Sequence, residues 1–191
     1  MAEREFVVLV NQADRACGQM EKMAAHRIGV RHRAFSIMLG NRLGQVLLQR
    51  RALGKYHSGG LWANSCCGHP RPGEEIAAAA TRRLGEELNI KARLRPVGLF
   101  SYRAMVGDGL MENELVHFFH GCHDGPIHPN ADEVMEIRWI DPTSLAPDTD
   151  HLTPWLRLYI AENPGFLQVS PPGGGSKAGH QGSSMPIQTD Q

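Results

Sequence analysis

An excess of charge of either sign, a long apolar run and a disulfide framework are all missing from this chain. Its 191 residues carry 20 Lys+Arg against 20 Asp+Glu, a formal net charge of zero. That removes the long-range attraction that brings basic proteins to nucleic acid or anionic membranes, so neither partner is expected. The apolar run after the charged N-terminus, Phe6 to Val10, is too short for a signal segment, and far short of the ~20 residues a membrane span needs. Four cysteines, with Cys66 and Cys67 adjacent, are poorly placed for disulfide bridges. Free thiols in a reducing, cytoplasmic compartment are expected. No internal repeat stands out. What is present, 41% hydrophobic and 21% charged residues, suits a globular chain long enough to bury a core.

Periodicity divides the chain into many strands with a few helices. Phe6 to Val10 reads as a buried strand, and Gln19 to Ala25 as one or two helical turns leading to His26. Alternation from Arg31 to Leu39, the Gly40–Gly44 turn and a return over Gln45 to Gln49 predict a hairpin. A polar loop follows from Arg50 through Lys55 and Ser58 to Gly60. Leu61 to Cys66 is a short strand, and Gly68 to Gly73 a loop. Glu74 to Leu88 is the strongest helix, with Ile76, Ala80, Leu84 and Leu88 along one face and Asn89 at a left-handed cap. Strands are expected at Arg95–Val106 and Leu110–His120 around a Gly107-Asp108-Gly109 turn, and again at Val134–Ile140. A last helix should run from Thr153 to Ala161, with Thr153 as its cap and Pro154 at its first position. The whole predicts an α/β domain with a mixed sheet over residues 1–165, followed by a Pro/Gly/Ser-rich, disordered tail over 166–191.

The chemistry concentrates around Trp62 to Glu87. Cys67 and His69, two apart in an extended segment, point to one side, while Cys66 points to the other. Gly68 between them allows a bend or a close approach. Glu112 and Glu114 also share one face of a strand, which is either a solvated face or one wall of a pocket. His26, His32 and His69 with these carboxylates would suit Mn²⁺, Zn²⁺ or Fe²⁺ better than Mg²⁺, because imidazole is a poor match for the harder ion. Spacing alone does not pick three of the ten histidines; His57, His123, His151 and His180 read as ordinary surface residues. Arg51, Lys55, Arg82 and Arg83 are either solvated charges or a phosphate clamp. Arg83 and Glu87 also stand at i, i+4, the spacing of a helical ion pair. Tyr102 and Trp155 are either core aromatics or pocket walls able to face a cation.

The run of Gly68, five residues, Glu74, seven residues, then Arg82-Arg83-Leu84-Gly85-Glu86-Glu87-Leu88-Asn89-Ile90 resembles the Nudix box. It departs at Arg83, where the box has the first of its paired glutamates, and at Asn89, where it has glycine. Further stretches, Glu21 to His26, His32 to Ser36, Arg50 to Lys55, Trp62 to Pro70, Tyr102-Arg-Ala, Glu112-Asn-Glu114, Asp132-Glu-Val and Thr153-Pro-Trp155, make residues 5 to 165 similar to type 1 isopentenyl-diphosphate isomerases.

The resemblance implies a Nudix-like mixed sheet sandwiched between helices in a single compact domain. It implies isomerisation of isopentenyl to dimethylallyl diphosphate by a monomer or weak homodimer. A Nudix-type diphosphate hydrolase or a non-catalytic binding module are the rival readings. The implied metal ligands are His26, His32, His69, Glu112 and Glu114. Cys67 and Glu114 would form the acid/base pair with help from Tyr102, and Trp155 would face the developing cation. Lys22, Arg51, Lys55 and Arg83 would hold the diphosphate, partly through a Mg²⁺ associated with Glu87. Five residues separate His26 from His32 where the family usually has six, which makes His26 the least secure ligand and predicts a differently shaped loop.

Overall fold

Alternating strand patterns pair where their apolar faces can be covered, and here they join into one mixed sheet. The computed structural model describes residues 4–170. In chain order the elements are β1 (Phe6–Val10), β2 (Ala16–Glu21), α1 (Lys22–Ile28), β3 (His32–Gly40), β4 (Val46–Arg51), β5 (Trp62–Asn64), β6 (Cys66–Gly68), α2 (Ile76–Leu88), β7 (Arg95–Gly107), β8 (Leu110–Cys122), β9 (Val134–Ile140) and α3 (Pro154–Glu162). Single 3-10 turns follow at Pro142–Ser144 and Pro164–Leu167.

β3 is the hub. It runs antiparallel to β1, β4 and β6 and parallel to β8. Its alternate residues serve two cores. Phe35, Ile37 and Leu39 pack with Ala80, Leu84 and Leu88 of α2, while Ala34 and Met38 pack with Trp155, Leu156 and Tyr159 of α3. Helices on both faces of one sheet match the expected architecture, and no helix among the described residues is long and apolar enough to cross a membrane.

Three local readings change. The segment before His26 is strand as far as Glu21, because Gly18 to Glu21 of β2 pair in register with Leu9 to Phe6 of β1. The helix starts only at Lys22, where the Glu21 carboxylate accepts from the Met23 and Ala24 amides at 3.0 and 2.8 Å. The strand foreseen at Leu61–Cys66 is two strands, β5 on β4 and β6 on β3. They separate at Ser65, whose buried hydroxyl donates to the Leu47 carbonyl at 2.7 Å and accepts from the Leu39 amide at 2.8 Å. At α3, Thr153 holds the cap position and Pro154 the first turn, but the Thr153 hydroxyl makes no cap bond.

The helix α2 ends as expected, with Asn89 in the left-handed region at φ 55°. Packing runs past residue 165, since Phe166 is buried among Phe118 and Tyr159. Residues 171–191, which hold most of the expected tail, lie outside the described residues.

Candidate active site

The sheet register, not the chain order, assembles the site. Parallel pairing of β3 with β8 sets His32 beside Glu114, and antiparallel pairing of β7 with β8 sets Tyr102 on the other side of Glu114. A row Tyr102–Glu114–His32 therefore crosses three strands on the α3 face. Four residues along β3, Ser36 stands beside Cys67 of β6. The period-two rule holds at the vicinal thiols. Cys66 is fully buried against α2, whereas Cys67 packs on the α3 side.

His26 reaches the same place from α1. That helix closes at Gly29, φ 66°, where a Cβ would lie 2.7 Å from the Met111 sulfur. The tight exit absorbs the short spacing and leaves the His26 and His32 rings 4.8 Å apart. Trp155 is brought in by α3, whose start is tied to β5 by hydrogen bonds from the Trp62 amide to the His151 carbonyl and from the Thr153 amide to the Trp62 carbonyl.

The imidazoles surround Glu112. His26 Nε2 is 3.1 Å from Glu112 Oε2, His32 Nε2 is 3.8 Å from the same oxygen and 3.6 Å from Glu114 Oε1, and His69 Nε2 is 2.8 Å from Glu114 Oε1. His26 Nδ1 lies 2.6 Å from the Lys22 carbonyl oxygen and His32 Nδ1 lies 2.8 Å from that of Val30. A carbonyl only accepts, so each Nδ1 carries its proton and each Nε2, in a neutral ring, presents a lone pair. Those two Nε2 atoms and Glu112 Oε2 are buried with no aligned hydrogen-bond partner. Lone pairs facing a carboxylate in a dry site repel unless a cation, or added protons, lie between them. One ligand atom each from His26, His32, His69 and Glu112 falls within 4.8 Å of the others. With the Nδ1 atoms of His26 and His32 fixed from behind, this donor set could hold a divalent metal. Glu114 borders it, while its second oxygen accepts from the Tyr102 hydroxyl at 2.7 Å.

Burial opposes ionisation of Glu112, but His26 and His57 outweigh it and hold the carboxyl well below its usual range. Burial and the Glu112 charge push Glu114 up; His32 and His69 outweigh both, and its carboxyl lies below the ordinary value. Burial lowers His69 to about 4. It also pushes the Cys67 thiol up to about 12, although Ser36 and Asn64 oppose the rise. That thiol donates to Asn64 Oδ1 at 3.0 Å, and the Trp155 indole N–H donates to the same oxygen at 3.3 Å.

A cavity of about 840 Å³ is lined by Cys67, His69, Tyr102, Glu112, Glu114 and Trp155, and also by Lys22, Arg51, Lys55 and Arg83. The four expected clamp residues thus meet at one opening. Arg51, 7% exposed, donates to the His57 carbonyl and lies 5.2 Å from the Trp155 ring centre. Lys22 pairs with Glu5 at 2.7 Å. Lys55 and Arg83 both pair with Glu133, and Arg83 forms the foreseen ion pair with Glu87. Arg82 also borders the cavity but is engaged by Glu74 and Glu86. Glu87 stands apart from the histidine cluster, 3% exposed, with one oxygen accepting from Gln49 at 2.8 Å. Gly68 allows close packing rather than a turn. It lies within β6, and a Cβ there would sit 2.9 Å from the Phe35 ring.

One expectation is corrected. His57 is not a surface residue: it is 4% exposed and its Nε2 is 2.8 Å from Glu112 Oε1. Its loop reads as polar, and only the closure of that loop over β8 buries the ring. Glu133 and Asn64 also belong to the site, and neither has a spacing signal that singles it out.

A family model described as NUDIX domain matches residues 30–159. An isopentenyl-diphosphate Delta-isomerase of Burkholderia multivorans is 49% identical over 160 residues, covering 82% of this chain and 91% of its own length. One from Pectobacterium atrosepticum is 43% identical over 167 residues, covering 85% and 93%. Among solved structures, the DR0079 protein of Deinococcus radiodurans superposes with a TM-score of 0.69 at 20% identity, over 82% of this chain and 98% of that one. That last likeness bears on the fold alone.

Proposed function

The chain belongs to the isopentenyl-diphosphate Delta-isomerases within the NUDIX domain family, and from that premise we propose how its residues divide the work. The reaction converts isopentenyl diphosphate to dimethylallyl diphosphate. One proton is added to the terminal methylene carbon and one is removed from the methylene next to the resulting tertiary centre, so no atom is gained or lost. Two groups facing the substrate must share one proton between them. Cys67 and Glu114 are those groups, and their opposed pKa directions make the resting pair a thiol and a carboxylate.

Tyr102, hydrogen-bonded to Glu114, fixes the carboxylate's direction and offers it a proton. Trp155 stabilises the tertiary cation through its ring face, by up to ~2 kcal/mol when desolvated. Lys22, Arg51, Lys55 and Arg83 bind the diphosphate, and Arg51 spans both regions because it also lies over the indole. A guanidinium at Arg83, where the hydrolase box has a carboxylate, favours an anion over a hydrolytic metal.

His26, His32, His69 and Glu112 would hold Mn²⁺ or Zn²⁺, with Glu114 at its edge. A bound cation there would supply positive field beside Glu114 and Tyr102. Glu87 would meet a Mg²⁺ carried in with the diphosphate. The observation that carries the metal reading is the pair of carbonyl-fixed imidazoles whose free nitrogens face Glu112. The protein acts on its small-molecule substrate as a monomer or weak homodimer, in the cytoplasm.

Incubation with isopentenyl diphosphate and divalent metal, following allylic product and released phosphate together, tests this. Allylic product without phosphate is expected. Phosphate alone would place the chain with the diphosphate hydrolases.

A further inference from the structure

Cys67 and Trp155 meet on one buried atom, Oδ1 of Asn64. The thiol donates to it at 3.0 Å and the indole N–H at 3.3 Å. Asn64 is 0% exposed and does not line the cavity, so it can reach the substrate only through these two neighbours.

The strand break explains why an amide stands there. Asn64 ends β5, and the chain leaves β4 for β3 at Ser65 before β6 begins. The Asn64 side chain spans that break. Its Nδ2 donates to the Ile37 carbonyl at 3.0 Å and to the Cys66 carbonyl at 3.1 Å, and Ile37 and Cys66 are partners in the β3–β6 ladder. Carbonyls only accept, so both require the nitrogen of the amide. The indole only donates, so it requires the oxygen. The two demands agree, and together they fix Oδ1 toward Cys67. Both amide hydrogens have acceptors and the oxygen has two donors, which leaves the group satisfied without solvent.

The thiol has a second polar neighbour, the Ser36 hydroxyl at 3.4 Å, which lies 3.0 Å from the Tyr159 hydroxyl. A hydroxyl rotates, so Ser36 can turn either its hydrogen or its oxygen toward the sulfur. Asn64 cannot turn, because both ends of its amide are tied. The direction of the thiol is therefore set from the Asn64 side.

We propose that Asn64 is a positioning residue for the proton transfer: its locked Oδ1 holds the Cys67 thiol and sets the line along which sulfur meets the substrate. The inference rests on reading Cys67 as one of the acid/base pair. The hydrogen bonds of Lys22, Arg51, Lys55 and Arg83 go elsewhere, so losing the amide should fall on turnover and leave substrate binding alone.

The test is isomerase kinetics on the full chain, with thermal melting and the infrared S–H stretch beside it. Asn64→Leu is close in volume and removes both ends of the amide. It should lower kcat by about 10- to 100-fold, the upper figure being the effect of misplacing a reacting group by ~1 Å. Its KM for isopentenyl diphosphate should stay within about threefold of wild type. In a Cys67→Ala background the same substitution should change the single-turnover rate by less than about threefold, because groups that act as a unit are not additive.

A folded Asn64→Leu that turns over like the wild type overturns the proposal. So does an equally large loss in the Cys67→Ala background, which would assign Asn64 to the fold rather than to the thiol. If Asn64→Leu does not fold, the S–H band of Cys67 decides. It is read in Ser36→Ala by subtracting the spectrum of Ser36→Ala/Cys67→Ala, where Asn64 is the acceptor left to the thiol. The band must lie at the lower frequency of a hydrogen-bonded thiol, and a free-thiol band overturns the proposal. A Cys67→Ala that keeps wild-type turnover overturns the catalytic reading of Cys67 and this inference with it. A slow Cys67→Ala beside an unaffected Asn64→Leu overturns this inference alone.

Discussion

The two ends of the cavity handle charge in opposite ways. At the α2 end Arg83 and Lys55 have protein carboxylates: Arg83 has Glu86, Glu87 and Glu133, and Lys55 has Glu133. At the strand end the buried Nε2 atoms of His26, His32 and His57 and an oxygen of Glu112 have no aligned partner. A partly exposed helix can neutralise its own charges through i, i+3 and i, i+4 neighbours, and its cations then exchange one anion for another when a diphosphate arrives. A buried row across strands has no such local partners, so its unbalanced donors are costly unless something binds there. In the proposed division of work the Nudix helix serves as a binding surface, while the proposed acid/base pair, Cys67 and Glu114, sits on β6 and β8.

The sharpest way to break this contrast is to remove the strand-borne groups. Cys67→Ala and Glu114→Gln should each lower kcat by roughly 10²- to 10⁴-fold, the range for losing a positioned acid or base. The measurement is single-substrate isomerase kinetics on protein whose melting is unchanged. Retained turnover in both would move the chemistry elsewhere. Metal removal comes next. Dialysis against a chelator should abolish most activity, and added Mn²⁺ should restore it in the wild type but not in Glu112→Ala.

The helix end should respond differently. Arg83→Met should raise KM for isopentenyl diphosphate by about 10- to 100-fold, equivalent to one charge-assisted hydrogen bond of ~1.5–3 kcal/mol, with a smaller change in kcat. A kcat loss as large as that at Glu114 would erase the division between the two ends. The smallest effect is expected at the other departure from the box. Asn89→Ala should cost about 1 kcal/mol in chemical denaturation, because its left-handed backbone crowds a Cβ, whereas Asn89→Gly should be nearly neutral.

Much of this could be read along the chain, and the exceptions share a cause. Hydrophobic period located α2, its Asn89 cap and the β7–β8 hairpin, because those signals lie within a few residues of each other. Alternation correctly sent Cys66 and Cys67 to opposite faces and put Glu112 and Glu114 on one. The β2 strand was missed because pairing with β1 overrode a weak local preference, and the break at Ser65 because its hydroxyl is satisfied by Leu39 and Leu47, both distant in sequence. His57 was misread for the same reason. Its neighbours in the chain are polar, while the carboxylate and indole that surround it come from β8 and α3.

By itself the sequence indicated the reaction class and the residues proposed to serve it, through its resemblance to the isomerases along stretches such as Trp62 to Glu87 and Glu112 to Glu114. The tertiary structure decided which of those side chains meet. A period of two tells which face a residue takes but not which strand lies next to it, and that was settled by the parallel register of β3 on β8. It also decided which ring nitrogens of His26 and His32 face Glu112, since the Lys22 and Val30 carbonyls stand behind the two imidazoles, and only the folded backbone places them there.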